Sequence, residues 1–415
     1  MEFPRRQYLN ALIRKQGNGL IKVITGIRRC GKSYLLFTLF RNYLLNIGVR
    51  EDHIIEMAFD SFENLEYQDP KKFLSYIREK MSDKGTYYIL LDEVQELSEF
   101  EAVLNSLLRK PNTDIYVTGS NANFLSRDVI TEFSGRGDEI HLSPLSFSEF
   151  MFGYDGSVET GWDEYTLYGG LPPVVLQKTD EDKRKLLKDL LEETYIRDIT
   201  RRHRIRNRTE FNELMNILAS GIGSLTNPTR LSATFKSVKN VSISNNTIES
   251  YISYLIDAFL LNRAERYDVK GKRYIDSPYK YYYTDIGLRN AKINFRQYEE
   301  THIMENVVFN ELLIRGYTVD VGVVPIQNRN TDGRKMRKNL EIDFVCNKDS
   351  ERYYIQSALA LPDEEKLKQE LRPLTYVRDG FKKIILVKHV PAPWYTEDGI
   401  YVTGLKNFLL NPENP

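Results

Sequence analysis

Residues 21–41 read IKVITGIRRCGKSYLLFTLFR. An apolar, β-prone run from Ile21 to Ile24 enters the loop Gly26-Ile27-Arg28-Arg29-Cys30-Gly31-Lys32-Ser33. An amphipathic helix starting at about Tyr34, with Leu35, Leu36, Leu39 and Phe40, leaves it. This is G-x-x-x-x-G-K-[ST] between a strand and a helix, the context that gives the pattern meaning. Glycines let backbone N–H groups approach phosphate oxygens closely, and a helix N-terminus favours an anion. Gly26 through Ser33, together with Tyr34, are therefore the candidate nucleotide cradle. Lys32 is placed to neutralise the β- and γ-phosphates of ATP, and the Ser33 hydroxyl to hold Mg²⁺. The rival reading is a glycine loop that only turns the chain.

About 60 residues on, Tyr87-Tyr88-Ile89-Leu90-Leu91-Asp92-Glu93 reads as an apolar strand ending in two acids. A buried parallel strand delivers such carboxylates at its C-terminal edge, where ligands bind in sheets of this kind. Asp92 is the candidate for the Mg²⁺ shell and Glu93 the candidate general base for an attacking water. A further strand, from Asp114, ends in Thr118-Gly119-Ser120-Asn121, so Ser120 or Asn121 is a candidate sensor of the γ-phosphate. Arg136, between Gly135 and Gly137, is a candidate for reaching a phosphate in its own or a neighbouring subunit, against a solvated loop arginine. A short helix over residues 8–15, a strand from His53 to Phe59, and helices over Pro70–Met81 and Phe100–Leu108 complete the expected first domain, residues 1–150.

The chain has 415 residues, enough for two or three domains, and its Lys+Arg and Asp+Glu counts are both 58. Zero net charge gives no global argument for a nucleic-acid partner, so any such surface must be local. Two cysteines, Cys30 and Cys346, exclude a disulfide framework and suit a reducing cytoplasm. Cys30, beside Arg28, Arg29 and Lys32, is a candidate for easier ionisation and oxidation. No run of about 18 apolar residues predicts a membrane span, and MEFPRRQYLN lacks the apolar core of a secretion signal.

GIRRCGKS, ILLDEVQ, VTGSNA, SGRGDEIHLSPLSFSEF and Tyr168-Gly169-Gly170-Leu171-Pro172 together resemble a prokaryotic AAA-type P-loop ATPase family with a conserved C-terminal domain of unknown function. The resemblance runs along nearly the whole chain. It implies an α/β fold whose AAA-like parallel sheet has an additional strand, and it implies no defined substrate.

Residues 151–207 read as a helical connector. Tyr154–Gly161 looks like a loop and Asp182–Thr194 a helix, and the segment Tyr195–Arg208 then carries six arginines and no lysine. That bias suits bidentate phosphate or carboxylate recognition as well as a salt-bridged helix face. Residues 208–295 read as a winged helix-turn-helix. Glu210–Ser220, Pro228–Val238 and a third helix capped at Asn246 carry apolar residues at helical spacing. Asn245, Asn246 and Thr247 stand at the start of the recognition helix. Lys270, Lys272 and Arg273 form the wing between two strands, so all six are candidate nucleic-acid contacts. The same fold also serves as a protein-docking module.

Residues 296–415 have a layout similar to the PD-(D/E)xK nuclease fold, a restriction-endonuclease-like α/β domain. Glu305 lies on a helix, Asp343 on one strand, and Gln356 and Ala358 on the next, after a basic loop from Arg329 to Lys338. Such a fold holds Mg²⁺ with two acids and uses a lysine; here Gln356 stands in the second acid's place and Ala358 in the lysine's. Nuclease activity is therefore not expected. The expected function is a Mg-dependent ATPase that couples ATP binding and hydrolysis to rearrangement of a winged-helix and C-terminal module bound to double-stranded DNA or a protein partner. The alternatives are a DNA-binding regulator with ATP as a slow switch and a protein-interaction or defence-type signalling ATPase. Self-association is expected if Arg136 acts in trans, and no membrane partner is expected.

Overall fold

In a computed structural model of the chain, residues 2–119, 137–239, 241–329 and 335–411 are described. They fall into two units. The first comprises Met1–Pro144 with Leu171–Pro173 and Asp257–Phe259; the second holds the rest.

The first unit is built on β1 (Ile21–Thr25), β2 (Ile54–Ala58), β3 (Tyr87–Asp92), β4 (Thr113–Thr118) and β5 (Gly137–His141), in the order β2-β3-β4-β1-β5. All four pairings are parallel. Every residue of β1 and β3 is buried, as expected of strands covered on both faces. Lys22 is a buried charge in β1: its ammonium donates to Asp114 of β4 and, at 2.9 Å, to the Leu20 carbonyl. The helix Pro70–Lys80 starts where expected, because the Asp69 side chain accepts from the Lys71 and Lys72 amides at 2.9 and 3.0 Å and Pro70 fills the first turn. The inserted strand β4 separates the loop-bearing β1 from the acid-bearing β3, the additional-strand arrangement. The helix after the loop is not regular. Lys32–Tyr34 passes into wider π-type turns over Leu35–Phe40 and then into Arg41–Asn46.

The second unit contains an eight-stranded sheet. Its strands are β6 (Leu261–Asp268), β7 (Arg273–Tyr283), β8 (Thr318–Arg329), β9 (Lys335–Lys348), β10 (Glu351–Ala358), β11 (Lys382–Val387), β12 (Trp394–Tyr395) and β13 (Tyr401–Gly404), ordered β12-β13-β11-β10-β9-β8-β6-β7. Side chains alternate across it. Tyr353, Ile355, Ile384 and Leu386 join one apolar core, while Tyr354, Ile385 and Val387 join another, so both faces are covered.

Several expectations change here. The hairpin β6–β7 is not a freestanding wing: β6 pairs in parallel with β8, Arg266 opposite Val321, so the sheet runs through the expected boundary at 295/296. The stretch expected as a loop up to Gly161 is already helical from Val158, because the Ser157 side chain accepts from the Thr160 amide. The arginine-rich segment continues a helix: Asp180–Asp189, wide turns over Leu190–Ile196, then Arg197–Arg202. The third helix of the three-helix set spans Asn245–Asp257 and is capped by Ser244, not Asn246; its hydroxyl accepts from the Thr247 amide at 3.1 Å. Of the expected basic loop, Arg329 ends β8 and Lys335–Lys338 open β9, while residues 330–334 lie outside the described residues. Among the described residues, no helix is long and apolar enough to cross a membrane.

Candidate nucleotide site

The loop after β1 needs glycine at two places. Gly26 has φ 138°, and a Cβ there would run into the Leu142 carbonyl; Gly31 has φ 101° and faces open space. Glycine at both turns is what a loop that wraps its amides around an anion requires. Lys32, only 5% exposed, donates from Nζ to the carbonyls of Gly26 at 3.0 Å and Ile27 at 3.3 Å. Its ammonium is thus held at the loop's inner rim by two weak acceptors that an anion outcompetes.

Across β4, the Ser33 hydroxyl donates to Asp92 Oδ2 at 2.6 Å, and the Thr118 hydroxyl donates to the other Asp92 oxygen. Burial holds the Asp92 carboxyl above its usual range, against the opposing pull of the Ser33 and Thr118 hydrogen bonds. A dication would reverse that balance by favouring the ionised form. Glu93 sits in left-handed backbone, φ 49° and ψ 48°, which is uncommon for a non-glycine residue. Its amide donates to Thr118 Oγ1 at 3.0 Å, and the Gln95 side-chain amide donates to its carboxylate. His141, at the end of β5, pairs its Nδ1 with Thr25 Oγ1 at 3.1 Å, and its pKa is pushed down to about 4 by loss of hydration first and by the Lys32 ammonium second.

The strand-end geometry therefore brings Lys32, Ser33, Asp92 and Glu93 into one site. Sequence reasoning missed Thr118, Gln95 and His141. Thr118 carried a usable signal, since it is the last residue of an apolar strand. Cys30 turns out opposite to expectation: it is fully buried, and burial pushes its thiol up despite Lys32 and Arg5. The thiol therefore ionises less readily than a free cysteine. Ser120, Asn121 and Arg136 lie outside the described residues.

In the second unit the nuclease-like residues form a different site from the one expected. Lys280 of β7, buried, places Nζ 2.8 Å from Glu305 Oε1, 2.8 Å from Glu341 Oε1 and 3.9 Å from Asp343 Oδ1. Tyr282 OH donates to the same Glu305 oxygen at 2.6 Å, and the Ser357 amide donates to Asp343 Oδ2 at 2.8 Å. The lysine absent at Ala358 is thus supplied from another strand, and its ammonium sits among the acids where a metal would have to go. Among the described residues, no group of three or more His, Cys, Asp or Glu is arranged to hold a metal ion. Asp343 is pushed up to about 8, by burial first and by Glu305 next, with Lys280 opposing. A carboxyl raised in the folded state stabilises fully below its unfolded value and loses that contribution as pH climbs through the folded one. Asp343→Asn is therefore expected to flatten a fall in stability between about pH 4 and pH 8, read by urea unfolding at several pH values.

The candidate nucleic-acid residues divide. Asn245 donates to Thr229 Oγ1 at 3.1 Å, while Asn246 is exposed. Lys270 is engaged, donating to the Pro325 carbonyl at 3.0 Å and lying 5.2 Å over the Tyr376 ring; Arg273 stands 4.0 Å from Asp268. In the arginine-rich helix, Arg197 pairs with Glu193 at 2.7 Å and Arg202 with Asp198 at 2.5 Å. Arg204, Arg206 and Arg208 beyond it are exposed.

The parallel sheet, the glycine loop and the paired carboxylates define an AAA-type P-loop domain, and residues 18–151 match the AAA domain family. Residues 159–299 match a domain of unknown function, DUF8612. The chain belongs to the family of a Haemophilus influenzae protein described as uncharacterized, to which it is 36% identical over 416 residues, covering 98% of each chain. It is also 27% identical to the uncharacterized protein MJ1544 of Methanocaldococcus jannaschii, over 88% of this chain and 84% of that protein. Among solved structures it is similar to AMPPCP-bound DnaA from Aquifex aeolicus, with 15% identity, TM-score 0.32, and coverage of 60% of this chain and 86% of that one. It is likewise similar to Aeropyrum pernix ORC1 in complex with DNA, with 11% identity, TM-score 0.30, and coverage of 70% and 92%.

Proposed function

We propose that the chain binds Mg-ATP at the loop Gly26–Ser33 and hydrolyses it, and that turnover rearranges the second unit bound to DNA or to a protein partner. The observation that carries this reading is the hydrogen-bonded line from Ser33 through Asp92 to Thr118, with Lys32 and Glu93 at its two ends. Loop amides orient the phosphate chain, and Lys32 exchanges the Gly26 and Ile27 carbonyls for phosphate oxygens. Ser33 and Asp92 would hold Mg²⁺, whose charge offsets that of the phosphates. Glu93 orients the attacking water and takes its proton once Gln95 releases the carboxylate. Ser120 or Asn121 as γ-phosphate sensor, and Arg136 acting across a self-associated assembly, belong to the same proposal.

The test is nucleotide binding by equilibrium titration of Mg-ATP. Lys32→Ala is expected to weaken it roughly 10- to 100-fold, the scale of a lost hydrogen bond to a charged group. Unchanged affinity sinks the site.

A DNA contact is favoured by the exposed Arg204, Arg206 and Arg208, three planar donors close together in sequence. The helix Asn245–Asp257 is a poorer candidate, since it carries no Lys or Arg and displays Glu249. Replacing the three arginines with alanine is expected to weaken double-stranded DNA binding and to shallow its salt dependence by about one unit of log–log slope per lost phosphate contact. A slope that does not move turns the reading toward a protein partner.

A further inference from the structure

An open cleft of about 820 Å³ lies within the second unit, beside the helix Asn245–Asp257, the hairpin β6–β7, the helix Glu300–Ile314 and the start of β8. That volume suits a small molecule, for which sites run roughly 300–1,000 Å³. Tyr274, Tyr279, Tyr281, Phe309 and Tyr317 supply aromatic surface, and Ile252, Ile256 and Leu313 supply aliphatic surface. The charged lining is Glu249, Glu265 and Asp320 against a single guanidinium, Arg263.

Arg263 is already engaged. It donates to Glu265 Oε1 at 2.9 Å and lies 4.7 Å over the centre of the Tyr279 ring. The cleft therefore already holds one cation between a carboxylate and an aromatic face, the arrangement that attracts ammonium and guanidinium groups. Asp320, only 4% exposed, accepts from Tyr274 OH at 3.2 Å. Its carboxyl is pushed up to about 6 by burial, with the Tyr274 hydrogen bond opposing, Glu265 adding and Arg352 opposing. A carboxylate so placed is stabilised by a cation at its open side. Excess negative charge disfavours a phosphate or any other anion.

We propose that this cleft binds a small organic cation, with ammonium or guanidinium groups carried on an apolar chain, as in a polyamine. The cationic groups face Asp320 and Glu249, and the carbon chain lies along the tyrosines and Ile252. The proposal stands apart from the nucleotide site, and no residue is shared with it.

The experiment is calorimetric titration of the full chain, without nucleotide and at fixed ionic strength, with spermidine and in parallel with a short peptide bearing two lysines. Saturable binding of either probe is expected. Asp320→Asn should weaken it roughly tenfold or more, and the exposed Glu249→Gln a few-fold. Glu56→Gln in the first unit should leave it unchanged. Tryptophan fluorescence checks that Asp320→Asn is folded, and Glu249→Gln tests the cleft from the surface in any case. Spermidine saturation assigns the free polyamine; saturation by the peptide alone assigns a basic side chain of a partner, with the same chemistry. The proposal is overturned if neither probe saturates, if binding survives both cleft substitutions, or if Glu56→Gln weakens it equally.

Discussion

Glu93→Gln is expected to slow ATP turnover by about 10²- to 10⁴-fold, the usual contribution of a positioned general base, while leaving Mg-ATP affinity near wild type. The amide keeps the shape of the carboxylate and loses only its ability to take a proton. The backbone supports that separation of effects. Glu93 is held in left-handed conformation by the hydrogen bond that its backbone amide donates to Thr118 Oγ1, so the substitution leaves the strand end and the Asp92 contacts in place. Gln95 also donates to the Glu93 carboxylate, so the base is engaged by a neighbour before it meets water. The measurement is steady-state phosphate release beside equilibrium nucleotide binding, each with and without double-stranded DNA. A variant that turns over at the wild-type rate removes Glu93 from the chemistry. A variant that no longer binds nucleotide shows that Glu93 has a role in the cradle instead.

Lys280→Met should destabilise the second unit by about 3–5 kcal/mol, because removing one partner of a buried ion pair leaves the others uncompensated. Glu305 is buried beside the ammonium and also accepts from Tyr282. Methionine fills a similar volume, so the loss reads out charge and not a cavity. Both tryptophans, Trp162 and Trp394, belong to the second unit, so their fluorescence during urea unfolding follows that unit. A shift below about 1 kcal/mol would mean that the acids take up protons and need no counter-ion. Replacing Glu305 as well, by leucine, should restore part of the loss, since it removes one of the stranded charges along with its partner.

The site in the first unit was legible because its chemistry is written in contiguous residues. Gly26 to Ser33 carries its own turn geometry, and the run from Tyr87 to Asp92 announces a buried strand with acids at its end. What lay beyond reach was which strand stands between them. β4 inserts between β1 and β3 and delivers Thr118 to Asp92, a contact made across 26 residues of chain. The Cys30 expectation failed for a related reason: sequence shows the neighbouring cations, but burial, which dominates the thiol, is a property of the packed loop.

In the second unit the helices were legible from apolar spacing, and their ends less so. Ser244 caps where Asn246 was expected, because both residue types cap equally well and only the packed helix selects one. Lys280 had no signal at all. It lies 25 residues before Glu305 and 63 before Asp343, separations that only the packed sheet closes. Sequence by itself determined the phosphate loop, the acid-tipped strand and the helical periodicities, since these depend on neighbours within a turn or a strand. Tertiary structure alone decided that β6 pairs with β8 across the expected boundary and that Lys280 neutralises the acids. Both follow from burying long-range apolar surface, which brings distant strands together and then requires every buried charge to find a partner.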